Sequence, residues 1–179
     1  MSKIYAGIGS RETPPAILEK MIKIGYYLAQ QGWTLRSGGA PGADQAFERG
    51  AIMGSGKMEI YLPWDGFNGK YERVEGYIDA TSLPNYHEAR SVAEQYHPAW
   101  DHCNSTARRF HTRNVYQIGG RELAVASDAV ICWTKHGKGG GGTGQAIRIA
   151  KSLEIPVFDL AVCSDQEVLN FIHSKEVTR

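Results

Sequence analysis

The chain has 179 residues, 42% of them hydrophobic and 22% charged, with a formal net charge of +1. That length supports one substantial core but is cramped for two domains, and the composition excludes a disordered or collagen-like chain. Near-neutral charge disfavours a protein that grips extended nucleic acid. Three scattered cysteines, Cys103, Cys132 and Cys163, form no disulfide framework or Cys-x-x-Cys metal pattern.

No segment approaches membrane-spanning length, so no membrane partner is expected. The first residues run directly into a strand-like segment without the apolar stretch of a signal peptide, and a cytoplasmic protein is expected.

The first strand is predicted at Lys3–Ile8, ending in Gly7-Ile8-Gly9-Ser10-Arg11. A helix should follow, capped by Thr13 with Pro14 at its first position. Ile17, Met21, Ile24 and Leu28 recur at helical spacing and form its apolar face, and Gly32 suits its end. Trp33–Arg36 reads as a second strand, which runs through Ser37-Gly38-Gly39-Ala40-Pro41-Gly42-Ala43-Asp44 into a helix reaching about Gly50. A third strand is predicted at Met58–Pro63, where apolar Met58, Ile60 and Leu62 alternate with Glu59 and Tyr61.

Residues 65–104 are rich in Tyr, His, Pro, Asn and Gly and show one short helical stretch, about His87–Gln95. They read as an irregular excursion over the strand ends within a single domain spanning 1–179, and as the part that selects a ligand. A helix near Thr106–Ile118 restores the pattern. Asp128–Trp133 is a continuous apolar run suited to a strand covered on both faces, and six glycines fall between Gly137 and Gly144. A helix over about Thr143–Leu153, a strand at Pro156–Leu160 and a last helix close the chain. Ser164 and Glu167 open that last helix with capping-box spacing, and Val168, Leu169 and Ile172 should face inward. Alternating strands and helices imply an α/β fold, a Rossmann-like doubly wound, mainly parallel sheet with helices on both faces.

Three strand-to-helix turns are unusually open: Gly7–Arg11, Ser37–Asp44 and Gly137–Gly144. A parallel sheet brings all three to its carboxyl edge, where such folds bind ligands. Without side chains the backbone can approach a phosphate, and free amides at a helix start stabilise its charge. Known phosphate motifs fit poorly. The Walker A pattern needs Lys before Ser or Thr, whereas Gly142 precedes Thr143 directly. Gly137, Gly139 and Gly142, with Asp159 beyond, satisfy a dinucleotide fingerprint that so glycine-rich a run matches almost automatically.

Four segments carry a resemblance: Ser37-Gly38-Gly39-Ala40-x-Gly42-Ala43-Asp44, then Arg113-Asn114, then Ser127-Asp128-x-Val130-Ile131, then Gly141-Gly142-Thr143-x-x-Ala146-Ile147. With Gly7-x-Gly9-Ser10-Arg11 at the start, the chain resembles the SLOG superfamily. That group includes DprA-like DNA-processing proteins, YspA-like nucleotide-binding proteins and LOG phosphoribohydrolases, and the chain looks most like phage-encoded DprA-like members. The resemblance implies a nucleotide or nucleotide-derived ligand, cyclic and NAD-derived signals included, and a homo-oligomer. It places Gly38, Gly39, Gly42, Gly141, Gly142 and Thr143 at phosphate and Arg113 beside it as a cation. Gly9, Ser10, Arg11, Ser37, Ala43 and Asn114 complete the expected ligand-binding set.

Asp44 and Glu48 lie one helical turn apart and are the candidate acid/base groups or ribose contacts. LOG-type enzymes carry glutamates two and three residues after the threonine of their glycine loop; here Gln145 and Ala146 follow Thr143 at that spacing. A neutral amide cannot stabilise positive charge on a departing sugar, which favours a sensing or sequestering binder over an N-glycosidase. A DprA-like partner of single-stranded DNA is the second alternative.

Arg108, Arg109, Arg113 and Arg121 make 102–121 the main basic stretch, and Arg109 and Arg113 share a helix face that could clamp phosphate. Tyr86, Tyr96, Trp100 and Phe110 are candidates to stack on a base. His97, His102 and Cys103, with His87 and His111 nearby, match no metal motif, and no metal is expected. No Gly-x-Ser-x-Gly nucleophile frame is present.

Overall fold

The computed structural model describes residues 3–176. Six parallel strands form one sheet: β1 (Ile4–Gly7), β2 (Thr34–Ser37), β3 (Met58–Leu62), β4 (Tyr77–Asp79), β5 (Ala129–Cys132) and β6 (Val157–Asp159), in the order β4-β3-β2-β1-β5-β6. The chain winds outward from β1 to β4, then returns to the other side of β1 for β5 and β6. Strand order therefore reverses between β1 and β5, and open α/β sheets form a ligand crevice at the carboxyl ends of such a pair.

Six helices cover the sheet: α1 (Pro15–Gln30), α2 (Ala43–Met53), α3 (Tyr86–Gln95), α4 (Ser105–Gly119), α5 (Gly141–Ser152) and α6 (Asp165–Ser174). Neighbouring strand residues point to opposite faces, which divides the core in two. Tyr5, Leu35, Ile60, Leu62 and Ile131 pack under α1, α2 and α6. Ala6, Tyr61, Val130 and Cys132 pack under α3, α4 and α5. The doubly wound parallel sheet read from the alternating pattern is the architecture observed.

Three details differ from expectation. Thr13 does not cap α1; its hydroxyl donates to the Ser10 carbonyl at 2.6 Å, and Pro14 takes the cap position with Pro15 inside the helix. The segment 65–104 adds the strand β4 to the sheet edge, in addition to the expected helix α3. Strand β4 has three residues, all half-buried, too short for alternation to register. Leu169 is exposed, while Val168 and Ile172 alone seat α6 among its expected apolar positions.

The α1–α2 crossing sets where α2 begins, and with it the position of Asp44. A Cβ at Gly50 would lie 2.3 Å from the Ile22 carbonyl, and one at Gly25 2.8 Å from the Phe47 carbonyl. Only glycine at both positions lets these helices approach so closely.

Candidate functional site

A cavity of about 390 Å³ opens at the carboxyl edge beside the β1–β5 reversal. Three groups of residues line it: Ile8, Gly9, Ser10 and Arg11 after β1; Ala40 and Asp44 before and within α2; and Gly140–Thr143 at the start of α5. The fourth wall is one stripe of α4. Arg113 and the residues Ala107, Phe110, His111, Asn114 and Gln117 line the cavity from α4; the latter five, at intervals of three, one, three and three, share a single helix face.

At the α5 end the backbone is bare. Gly140 is the cap residue and offers no side chain. Among the described residues, the amides of Gly141, Gly142 and Thr143 donate to no protein acceptor; the first to do so is Gly144, to the Gly140 carbonyl at 3.2 Å. Unpaired first-turn amides and the helix dipole make this end attractive to an anion. Asn114 fixes the loop by donating through Nδ2 to the Gly142 carbonyl and to Gln145 Oε1, both at 3.1 Å.

Gln145 is fully buried and ties three helices together. Its Oε1 meets Asn114 and His111 Nδ1, the latter at 3.0 Å, while its Nε2 donates to the Ala93 carbonyl at 2.8 Å. The residue that stands in place of a LOG glutamate is thus a structural amide.

The β1 turn is the second open nest. Ser10 N donates to the Trp133 carbonyl at 3.2 Å, holding the turn against the β5 exit, whereas the amides of Gly9 and Arg11 have no protein acceptor among the described residues. A Cβ at Gly9 would lie 2.7 Å from that of Ala43 and 3.1 Å from the Trp133 backbone, so the turn closes up only around glycine.

The β2 turn behaves differently, because it already holds an anion. Asp44 Oδ2 accepts from the Ala40 amide at 3.3 Å, and the Gly38 amide also stabilises the carboxylate. Arg113 lies 3.6 Å from the same oxygen and donates to the Gly38 carbonyl. Arg113 is 5% exposed and Asp44 4%. Arg113 lines the cavity and also engages the protein through one guanidinium nitrogen, while its Nε has no partner among the described residues; Ser37, Gly38, Gly39, Gly42 and Ala43 do not line the cavity. Ser37 Oγ donates to the Gly7 carbonyl at 2.6 Å, joining β2 to β1.

Glu48 also turns away from the cavity. It accepts from the Tyr77 hydroxyl at 2.6 Å and lies 3.5 Å from Lys70 Nζ, binding α2 to the segment around β4.

Burial pushes the Asp44 carboxyl up to about 6 from its ordinary 3.8, against the opposing pull of Arg113 and the Ala40 amide. Burial likewise lowers Arg113, with Asp44 pulling it back up. Because the folded-state value is the higher one, the folded protein keeps a proton that the unfolded chain releases near pH 4. This contribution is complete below about pH 4 and lost as pH rises through about 6. Between these limits wild-type stability relative to Asp44→Asn should fall by about 3 kcal/mol, as urea titrations of both proteins at half-unit pH steps would show. Parallel curves would mean that Asp44 is well solvated.

A second cation at the cavity is Arg11. It is exposed, lines the cavity, forms no ion pair among the described residues, and sits 5.5 Å above the Phe110 ring centroid. Of the Arg109–Arg113 pair, Arg113 lines the cavity and Arg109 is exposed outside its lining. Arg108 instead donates to the Trp100 carbonyl at 3.4 Å.

Of the four aromatic candidates only Phe110 lines the cavity; Tyr86, Tyr96 and Trp100 pack into the α3–α4 core. No residue of 65–104 lines it either; the α4 face stands where that segment was expected. The dinucleotide fingerprint is not realised. Asp159 accepts from the Thr134 amide and hydroxyl and the Ala161 amide, and Gly137 and Gly139 border a separate hollow. The α4 spacing could have revealed Ala107, His111 and Gln117 beforehand, but only once Phe110 and Asn114 were known to share one wall.

No family model and no curated protein sequence matches the chain. Solved structures do. The molybdenum cofactor binding protein from the phototrophic bacterium Rippkaea orientalis superposes with a TM-score of 0.55 at 21% identity, over 88% of this chain and 75% of that one. The fold is Rossmann-like. DNA processing protein A from Helicobacter pylori, whose structure describes a single-stranded DNA binding mode, gives 0.53 at 20% identity, over 88% of this chain and 64% of that one. Among the described residues, no helix of this Rossmann-like chain is long and apolar enough to cross a membrane.

Proposed function

We propose that this chain is a SLOG-type domain that binds a nucleotide or nucleotide-derived ligand, cyclic and NAD-derived signals included, and senses or sequesters it. One observation carries the reading: the unpaired amides of Gly141, Gly142 and Thr143 and those of Gly9 and Arg11 belong to one shared cavity. Its volume, about 390 Å³, lies within the range of small-molecule sites. In this reading the α5 amides and the Thr143 hydroxyl hold phosphate, Arg11 supplies the positive charge, and Phe110 offers a ring face to a base. Ser10, Asn114 and Asp44 complete the contacts, Asp44 towards hydroxyl groups. The Rossmann-like neighbours named for a molybdenum cofactor and for single-stranded DNA fit a site that takes phosphate-bearing or cofactor-like molecules.

The test is retention. Purified protein is incubated with nucleotides, cyclic nucleotides, NAD-derived compounds and molybdenum cofactor, desalted, and analysed by mass spectrometry before and after heat denaturation. Intact ligand that appears only on heating supports sequestration, and failure to retain any compound ends the proposal. Free base or ribose phosphate would establish the second reading, a nucleotide hydrolase. Its one favourable observation is Asp44, a cavity carboxyl held near neutrality. Short single-stranded DNA belongs in the same series, and steep salt dependence would mark backbone binding. The SLOG reading also carries self-association, read by light scattering; a monomer mass at micromolar concentration would remove that part.

A further inference from the structure

The geometry points to a binding site for one transition-metal ion of the zinc class between His97, Cys103 and His111, independent of what the cavity binds. These residues come from three local structures that the sequence keeps apart. His97 follows the end of α3, Cys103 follows the short turn Trp100–His102, and His111 lies in the second turn of α4. Folding nonetheless brings one ligand atom from each within 4.8 Å of the others.

The spacing suits a tetrahedral ion. Cys103 Sγ lies 3.7 Å from His97 Nε2 and 3.9 Å from His97 Nδ1. Zinc–sulfur and zinc–nitrogen bonds at a tetrahedral angle hold sulfur and nitrogen about 3.6 Å apart. The His97 and His111 rings are 4.2 Å apart between centroids, tilted by 59°.

The surroundings prepare the ligands. The orientation of the Gln145 amide is settled by its donation to the Ala93 carbonyl and its acceptance from Asn114, so its Oε1 can only accept from His111. That places the imidazole proton on Nδ1 and the lone pair on Nε2, the arrangement in which a second residue orients a metal-binding histidine. His97 carries its lone pair on Nδ1, which accepts from the Ala99 amide at 3.1 Å. Ala99 is exposed, so its amide can turn to water when an ion takes that lone pair.

Ligand type narrows the ion. Two imidazoles and a thiol select zinc-like metals over magnesium or calcium, which take oxygen ligands. Arg148, which donates to the Tyr96 carbonyl at 2.8 Å, and Arg113 both place positive charge near these histidines. The thiolate formed as Cys103 gives up its proton to bulk buffer offsets that charge. Three protein ligands leave one position for water or another donor. Since His111 also lines the cavity, the ion would sit at the cavity rim.

Cobalt(II) titration of chelator-treated full-length protein tests the site. One equivalent should produce the near-ultraviolet charge-transfer band of a cobalt–thiolate bond and the visible bands of tetrahedral cobalt, both erased by zinc. Cys103→Ser should lose the charge-transfer band and bind at least about tenfold more weakly, and His111→Gln should weaken binding similarly. Cys163→Ser should leave the spectrum unchanged. Absence of the charge-transfer band in wild-type protein at stoichiometric cobalt overturns the proposal, whatever the variants do. So does its persistence in Cys103→Ser with an unchanged far-ultraviolet spectrum.

Discussion

Arg113→Ala should destabilise the protein by about 3–5 kcal/mol at pH 7, the usual cost of removing one partner from a buried ion pair. The change leaves the Asp44 carboxylate desolvated with only backbone amides beside it, and it deprives the Gly38 carbonyl of its donor. Truncation also empties a packed space, since Gly38 approaches Arg113 so tightly that a Cβ there would overlap the guanidinium. Urea unfolding at pH 7 and pH 5 provides an internal check. Asp44 titrates at about 6 in the intact protein, and loss of Arg113 should raise that value further. At pH 5 the carboxyl would be neutral and the penalty smaller. A loss below about 1 kcal/mol at both pH values would return Arg113 to the role of a free ligand-binding cation.

Gly142→Asp should do the opposite, keeping the fold and removing the ligand. Gly142 has no positive φ, and nothing lies within 4 Å of the position a Cβ would occupy. An aspartate in the first turn of α5 also opposes the helix dipole favourably, by about 0.3–1 kcal/mol. Thermal stability should therefore be unchanged or slightly raised. The new carboxylate would project from the helix start assigned to phosphate, and like charges about 4 Å apart near a protein surface repel by about 4 kcal/mol. Affinity for whichever nucleotide heat releases should fall at least about 100-fold, read by isothermal titration. Gly142→Asn, of the same shape but uncharged, should lose much less. Equal affinities for wild type and Gly142→Asp would place the anion elsewhere.

These two residues show where sequence reading succeeds and where it stops. Strand and helix positions were legible because burial on a parallel sheet leaves a periodic trace: Ile60 and Leu62 of the third strand and Met21 and Leu28 of the first helix are core, with Met58 and Ile24 partly buried against them. The bare start of α5 was legible too, since consecutive glycines can contribute little except backbone. What escaped was partner choice. Gly38, Gly39 and Gly42 look like a phosphate nest as a string, but the carboxylate two residues beyond Gly42 folds back onto it. Nothing in the spacing says that Arg113, 75 residues from Gly38, closes the arrangement. His97, Cys103 and His111 escaped for a related reason, because their intervals of six and eight match no single helix face or metal motif. Strand β4 was lost to brevity alone.

The self-occupied turn after β2 has a consequence for binding energetics. With its own carboxylate acting as counter-ion, that third of the rim is set before any ligand arrives, so association need not spend entropy on ordering it. The amides of Gly141, Gly142 and Thr143 in α5 and of Gly9 and Arg11 in the β1 turn have no such internal partner among the described residues, so under the proposed function affinity would turn on the water a ligand displaces from them.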